Sequence, residues 1–328
     1  MRSTRNTYRH ALLGSLLASA VLLAACGKSG TDSPASAGSA ATPAATPAPA
    51  PAANAKPPGN AEQQATLKLN AYTEAYNKLI GTFGLPETYE SYLKDNIPKQ
   101  TATDSISISD GWIENALDLF KKGRALPSAG QEALDKSADQ LIGALDKLVV
   151  QLKALDIYYE SKAYKNDNLA RGKSEDASVR ANFEASTVAM ASFNDVLGQE
   201  QKKRDAETLA RLKASGDLLG YNTKLALGQG EELINLFNTA SDMKDAAKFT
   251  QGDAMVAELE KTLATQRELY AAAKAKEPRP DSGHESMASS LVSLVGAYRD
   301  MKQSKQVKDY NDMVKEYNRA VENANGID

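Results

Sequence analysis

Leu134, Ala138, Leu141, Leu145, Leu148, Leu152, Leu155 and Tyr159 recur at alternating steps of four and three without a miss. That spacing lays every one of them on a single stripe of an α-helix, and Ile142 and Val149 widen the stripe. A seam of period 3.5 held for this long suits shallow-angle, knobs-into-holes packing against another helix, and it leaves no place for a strand. The pattern predicts a helix from Ser128 to about Lys165, near 57 Å long at about 1.5 Å per residue.

The same period runs through the rest of the chain from Ala61 on. Ala65, Leu69, Tyr72, Tyr76, Leu79 and Phe83 form one stripe, which Gly84 and Pro86 stop. A short helix from Pro86 to about Asn96 is expected before Pro98. Thr101 to Ser109 reads as a loop, and Asp110 as the cap of a helix carrying Ile113, Leu117 and Phe120. Val179, Phe183, Met190, Phe193 and Leu197 mark a further helix that turns polar from Gln199 to Arg204 and resumes at Leu209 and Leu212. Shorter stripes follow over Tyr221 to Phe237 and at Val256, Leu259, Leu263 and Tyr270. A last helix is expected to carry Met287, Leu291, Leu294, Tyr298 and Met301 and to continue through Tyr310, Val314, Tyr317 and Val321. All five prolines beyond Asn60 fall at expected helix ends, and no stretch alternates with period two for long. The expectation is an all-α bundle of long antiparallel helices with coiled-coil-like packing; a coiled-coil oligomer is the competing architecture. An internal echo, N-x5-Y-N-[KR], links Asn70 and Tyr76-Asn77-Lys78 with Asn311 and Tyr317-Asn318-Arg319. It reads as convergence of two amphipathic helices or, more sharply, as two terminal helices lying side by side.

Ahead of the body the chain changes character twice. Arg2, Arg5 and Arg9 precede an apolar run from Ala11 to Leu23 that is too short to span a bilayer. Leu23, Ala24, Ala25 and Cys26 then complete the pattern of a secretory signal, 1–25. This ending resembles the lipobox of bacterial lipoproteins, which implies cleavage before Cys26 and lipidation of its thiol. Two or more acyl chains hold a protein stably on a membrane, at about 0.8 kcal/mol per buried methylene. Gly27 and Lys28, with no Asp after the cysteine, imply an outer-membrane lipoprotein facing the periplasm in a Gram-negative envelope. Residues 26–60 hold seven prolines and no Leu, Ile, Val, Met or aromatic residue. That composition predicts a disordered Ala/Pro-rich tether inclined to polyproline II, with a reach on the order of 100 Å. The helical-bundle domain is then 61–328.

Composition narrows the chemistry. Without the signal the chain carries 36 basic and 42 acidic residues, a net charge near −6. Such a body has no electrostatic footprint for nucleic acid. Its one cysteine excludes an intrachain disulfide, and only His284 remains beyond the signal, which excludes a multi-histidine metal site. Glu231-Glu232 and Glu258/Glu260 look like ordinary acidic helix faces. No Glu-x-x-His pair, phosphate-cradling loop or serine elbow is present, so no catalytic residue and no cofactor is assigned. His284, after Gly283, reads as a solvated loop or helix-start residue. The most distinctive polar-aromatic stretch holds Tyr158, Tyr159, Tyr164 and Asp167. It is either an interaction patch or a helix end packed by tyrosines, with Asn166 or Asp167 capping the next helix.

The lipobox, the Leu69-to-Asn77 stretch Leu-Asn-Ala-Tyr-x-x-x-Tyr-Asn, the Tyr158-to-Lys173 stretch and Tyr317-Asn318 together resemble the YiiG-like bacterial lipoproteins. The resemblance spans roughly Leu67 to Asn325. It implies an uncharacterised helical lipoprotein and brings no activity or catalytic residue with it. Imelysin-like envelope proteins, linked to iron or haem acquisition, carry G-x-H-x-x-E, whereas Gly283 is followed directly by His284 and Glu285. The expected role is a non-enzymatic interaction or scaffold module, held to the membrane through Cys26 and facing an unknown envelope partner. A helical lipoprotein that binds a small ligand or iron is the alternative.

Overall fold

The computed structural model describes residues 60–108, 110–237, 239–276 and 280–327. The expected signal peptide, Cys26 and the expected tether as far as residue 59 lie outside the described residues. Among those residues the structure is all-helical, with no strand. The helices are α1 (Asn60–Ile80), α2 (Leu85–Asp95), α3 (Gly111–Ala125), α4 (Glu132–Glu160) and α5 (Ala170–Ser215), followed by α6 (Leu218–Asn235), α7 (Ala246–Lys276), α8 (Gly283–Ser304) and α9 (Val307–Asn325).

The seam of α4 is buried along its whole length, from Leu134 to Tyr159. It packs chiefly on α5 and α3. The helix is shorter than its pattern suggests, about 43 Å at about 1.5 Å per residue. Ala129 (φ 49°) and Gly130 (φ 85°) turn the chain before it starts, and Lys162 (φ 57°) ends it. Left-handed residues of this kind close off an α-helix.

α5 runs unbroken for 46 residues, about 69 Å. Its first part, from Val179 to Leu197, belongs to one apolar core with α1 to α4. Beyond Leu197 comes the polar stretch. There Gln201 Nε2 donates to Thr73 of α1 (3.4 Å), Lys224 of α6 pairs with Asp205 (2.7 Å), and Arg211 pairs with Glu62. α6 to α9 build a second apolar core around Leu227, Leu233, Phe237, Leu259, Leu291, Met313 and Tyr317. The loss of apolar periodicity near Gln199 therefore marks where α5 leaves the first core and continues on polar contacts with α1 and α6.

Two expectations need correction. The last stripe is not one helix: α8 and α9 form a tight hairpin that turns at Lys305 (φ 60°). The turn contains neither Gly nor Pro; Ser304 Oγ donates to Asp309 and accepts from Gln306 N (3.1 Å). The sequence signal was the nine-residue step from Met301 to Tyr310, within which a continuous seam would place an apolar residue. Met313, rather than Val314, lies fully inside. Likewise Phe83 is not the last member of the α1 stripe. α1 stops at Ile80, and Phe83 stands outside it at φ 62° with its ring exposed.

Candidate interaction surface

The tyrosine stretch at the end of α4 is folded inward. Tyr158, Tyr159 and Tyr164 are buried, with ring centroids 5.0 to 6.3 Å apart. Tyr158 donates to Asp167 Oδ1 (2.7 Å), and Asp167 Oδ2 accepts from Arg171 N (3.1 Å) in the first turn of α5. The Tyr158 bond is the largest of the influences that hold the Asp167 carboxyl below its ordinary range. Burial, followed by that same bond, pushes the Tyr158 phenol up to about 12. Only Asp167 of this group is exposed. The stretch thus packs a helix end and caps the next helix, and offers little aromatic area to a partner.

Two further polar centres lie inside. In the first core Lys68 is fully buried on α1. Its ammonium donates to Asp135 Oδ1 (2.7 Å) and to the Leu126 carbonyl (2.7 Å) at the end of α3. Asp135 also accepts from Tyr72 (2.7 Å) and Ser128. Burial raises the Asp135 carboxyl, and the bonds from Lys68, Ser128 and Tyr72 outweigh it, so the group sits below the usual carboxylate range. Nothing in the sequence pattern announces Lys68 as a core residue. In the second core His284 is buried, not solvated, in the first turn of α8. The Thr223 hydroxyl donates to the Leu219 carbonyl (3.0 Å), accepts from Gln266 Nε2 (2.6 Å) and meets His284 Nδ1 at 2.8 Å. Burial lowers the imidazole's pKa, against smaller opposing effects of Asp281 and Asp217. Both centres tie helices together at short distances, although in the second the Gln266 Oε1 is buried with no hydrogen-bond partner among the described residues.

The two echo helices occupy different cores, α1 against α3 and α5, α9 against α8 and α6. Each turns its tyrosine, Tyr76 or Tyr317, inward. The side-by-side reading of the echo is therefore replaced by a shared amphipathic pattern. The surroundings differ. Gln201 reaches Thr73 on α1, whereas the matching face of α9 lines a groove of about 440 Å³. Asn311, Val314, Lys315, Asn318, Arg319 and Glu322 form that wall, and Asn318 Oδ1 is buried with no hydrogen-bond partner among the described residues.

One aromatic pair faces outward. Phe83 is 54% exposed and Trp112, the sole tryptophan, 43%. Their centroids lie 5.7 Å apart at 37°, and the Lys78 ammonium sits 3.8 Å from the centre of the indole ring. Phe83 keeps its left-handed backbone because its N–H donates to Glu87 Oε2 (2.8 Å), its carbonyl accepts from Thr88 Oγ1 (3.0 Å), and Gly84 N closes the turn onto the Gly81 carbonyl (2.8 Å). A bulky residue in that region is an outlier, of the kind found where geometry serves a function. The sequence gives a partial signal: Trp112 falls off the Ile113, Leu117 and Phe120 stripe.

Among the described residues no group of three or more His, Cys, Asp or Glu is placed to hold a metal, and no helix is long and apolar enough to cross a membrane. In comparison with known families, a family described as "Protein of unknown function (DUF3829)" matches residues 63–304. No curated protein and no solved structure matches.

Proposed function

We propose a role from the premise that this chain belongs to the DUF3829 family, whose function is unknown: it is a lipid-anchored envelope lipoprotein whose helical body is a non-enzymatic interaction module. Within that family, Leu69 to Asn77, Tyr158 to Lys173 and Tyr317-Asn318 favour the YiiG-like lipoproteins. The lipobox ending at Cys26 supports anchoring, and Gly27-Lys28 supports the outer membrane of a Gram-negative envelope. The observation that carries the interaction role is the exposed Phe83–Trp112 pair, with Phe83 held out by a left-handed turn and Trp112 by the first turn of α3. Rigid aromatic side chains give contact area at low entropic loss, and tryptophan is enriched where binding energy concentrates. The polar groups that resemble chemistry, at Asp135 and His284, are engaged in joining helices.

The test is capture from chemically crosslinked envelopes, comparing the natural chain with Trp112→Ala. A reproducible partner that the variant loses supports the role; a partner recovered equally by both removes the ring pair from it. A second reading, a small-ligand or iron-binding body, is favoured by the α9 groove and the buried Asn318 oxygen. Metal analysis and thermal-shift screening of the purified chain address it: a stoichiometric metal or a large ligand-induced shift lost in Asn318→Ala would promote it.

A further inference from the structure

We propose that the ring pair Phe83–Trp112 is a seat for an extended proline-rich segment, and that its resident occupant is the run Thr42–Pro51 of this same chain. The inference rests on the reading of the ring pair as a recognition surface.

The pair has the make-up of a polyproline seat. Two aromatic rings stand 5.7 Å apart and tilted, partly open to solvent, with one neighbour of the indole being a lysine ammonium. Proline-rich segments dock on aromatic-lined surfaces because their polyproline II form is already ordered and leaves its carbonyls free. The indole N–H supplies a donor for such a carbonyl. Charge selects among occupants. Glu87 touches the Phe83 backbone, Asp110 precedes Trp112 by two residues, and Glu114, two residues after it, is paired with Lys153. With the Lys78 ammonium on the indole and Lys153 on Glu114, the seat carries no strong charge of either sign, which suits an uncharged run of Ala, Thr and Pro better than an anionic lipid surface or an acidic peptide.

Length selects the tether. α1 leads from Asn60 to Ile80, about 30 Å at about 1.5 Å per residue. Pro51 lies nine residues before Asn60, about 28 Å at about 3.1 Å per residue in polyproline II. A tether folded back along α1 therefore brings Pro51 and Pro49 to the end of α1, where Phe83 follows, with Pro47 and Pro43 continuing beyond it. Being part of the chain, the run is present at an effective concentration of about 1 mM. A weak contact is then occupied much of the time and still yields to a tighter partner. Docked, the run leaves only Gly27 to Ala41 as free leash between the anchor and the body.

Trp112 is the sole tryptophan, so its fluorescence reports this seat alone. Residues 26–328 carrying Cys26→Ser, made without the leader 1–25 so that neither lipid nor apolar run remains, are compared with the same chain in which Pro43, Pro47, Pro49 and Pro51 are changed to Gly. None of these substitutions touches the helical body. Half-occupancy at a millimolar local concentration makes the acrylamide quenching constant of Trp112 rise up to about twofold in the glycine variant, with emission moving to the red. Equal quenching in the two chains overturns the proposal. So does protection that appears only with added phosphatidylglycerol vesicles, which would make a bilayer the occupant, or only on raising protein concentration, which would make it a second copy. Equal quenching together with partner loss in Trp112→Ala would discard the tether and keep the recognition surface.

Discussion

The two cores of this molecule are built from the same kind of amphipathic helix, yet they hold their helices in register by different means. The first, around α1 to α4 and the front of α5, encloses an ion pair, Lys68 with Asp135. The second, α6 to α9, encloses a neutral set, Thr223, Gln266 and His284. A buried ion pair is costly to break because one partner is left as an uncompensated charge, whereas a neutral set loses one hydrogen bond at a time. The difference predicts that the first core fails abruptly and the second by degrees.

The largest effect is expected from Asp135→Ala, which leaves the Lys68 ammonium buried without its carboxylate. It should lower stability by about 3–5 kcal/mol in chemical denaturation, and Lys68→Met combined with Asp135→Leu should recover most of that. If Asp135→Ala proves no worse than Gln266→Ala, the contrast between the cores is broken.

Next come two glycines, one in each core. A methyl group on Gly252 would lie 2.6 Å from the Tyr298 hydroxyl, which donates to the Phe249 carbonyl and Asp253. One on Gly172 would press on the Tyr159 hydroxyl, which has no hydrogen-bond partner among the described residues. Overpacking of this kind costs about 1–3 kcal/mol. Gly252→Ala should lie at the upper end, since displacing Tyr298 also disturbs hydrogen bonds, and Gly172→Ala at the lower. Paired melting curves check the order.

Acid should then separate the cores. The His284 imidazole is held below its ordinary pKa by burial, so the unfolded chain binds its proton first. Its contribution is present above about pH 6.5 and declines as pH falls below that. The Asp135 carboxyl is also lower in the folded chain, but its contribution is present above about pH 3.9 and lost only as pH falls through its folded value. Amide exchange followed from pH 7 to pH 5 should therefore show α6 and α8 loosening while α1 and α4 stay protected. His284→Gln should flatten that response.

Much of this was legible beforehand. Leu134 to Tyr159 announced α4 because a core-facing stripe has to repeat with the helix, and every member is buried. The sequence could not show Lys68 as a core residue, since its burial depends on Asp135 and on carbonyls more than fifty residues away. The α8–α9 turn was hidden for a related reason: Ser304 and Asp309 make it with side chains, without the Gly or Pro that usually marks a break. Phe83 looked like one more apolar residue in a stripe, and its exposure follows from a turn that Glu87 and Thr88 fix.

The smallest effect on stability belongs to the outward rings. Trp112→Ala should change stability by no more than about 0.5 kcal/mol, as expected for an exposed side chain, while abolishing partner capture. The outer faces thus complete the comparison: the first region presents an aromatic pair, the second a groove along α9.

Site-specific photo-crosslinking in intact cells sets these faces against each other. A benzophenone side chain is placed at Phe83 in one chain and at Lys315 in another. Recognition through the ring pair predicts a discrete high-mass adduct from position 83 and none from position 315. An adduct from position 315 alone would contradict it.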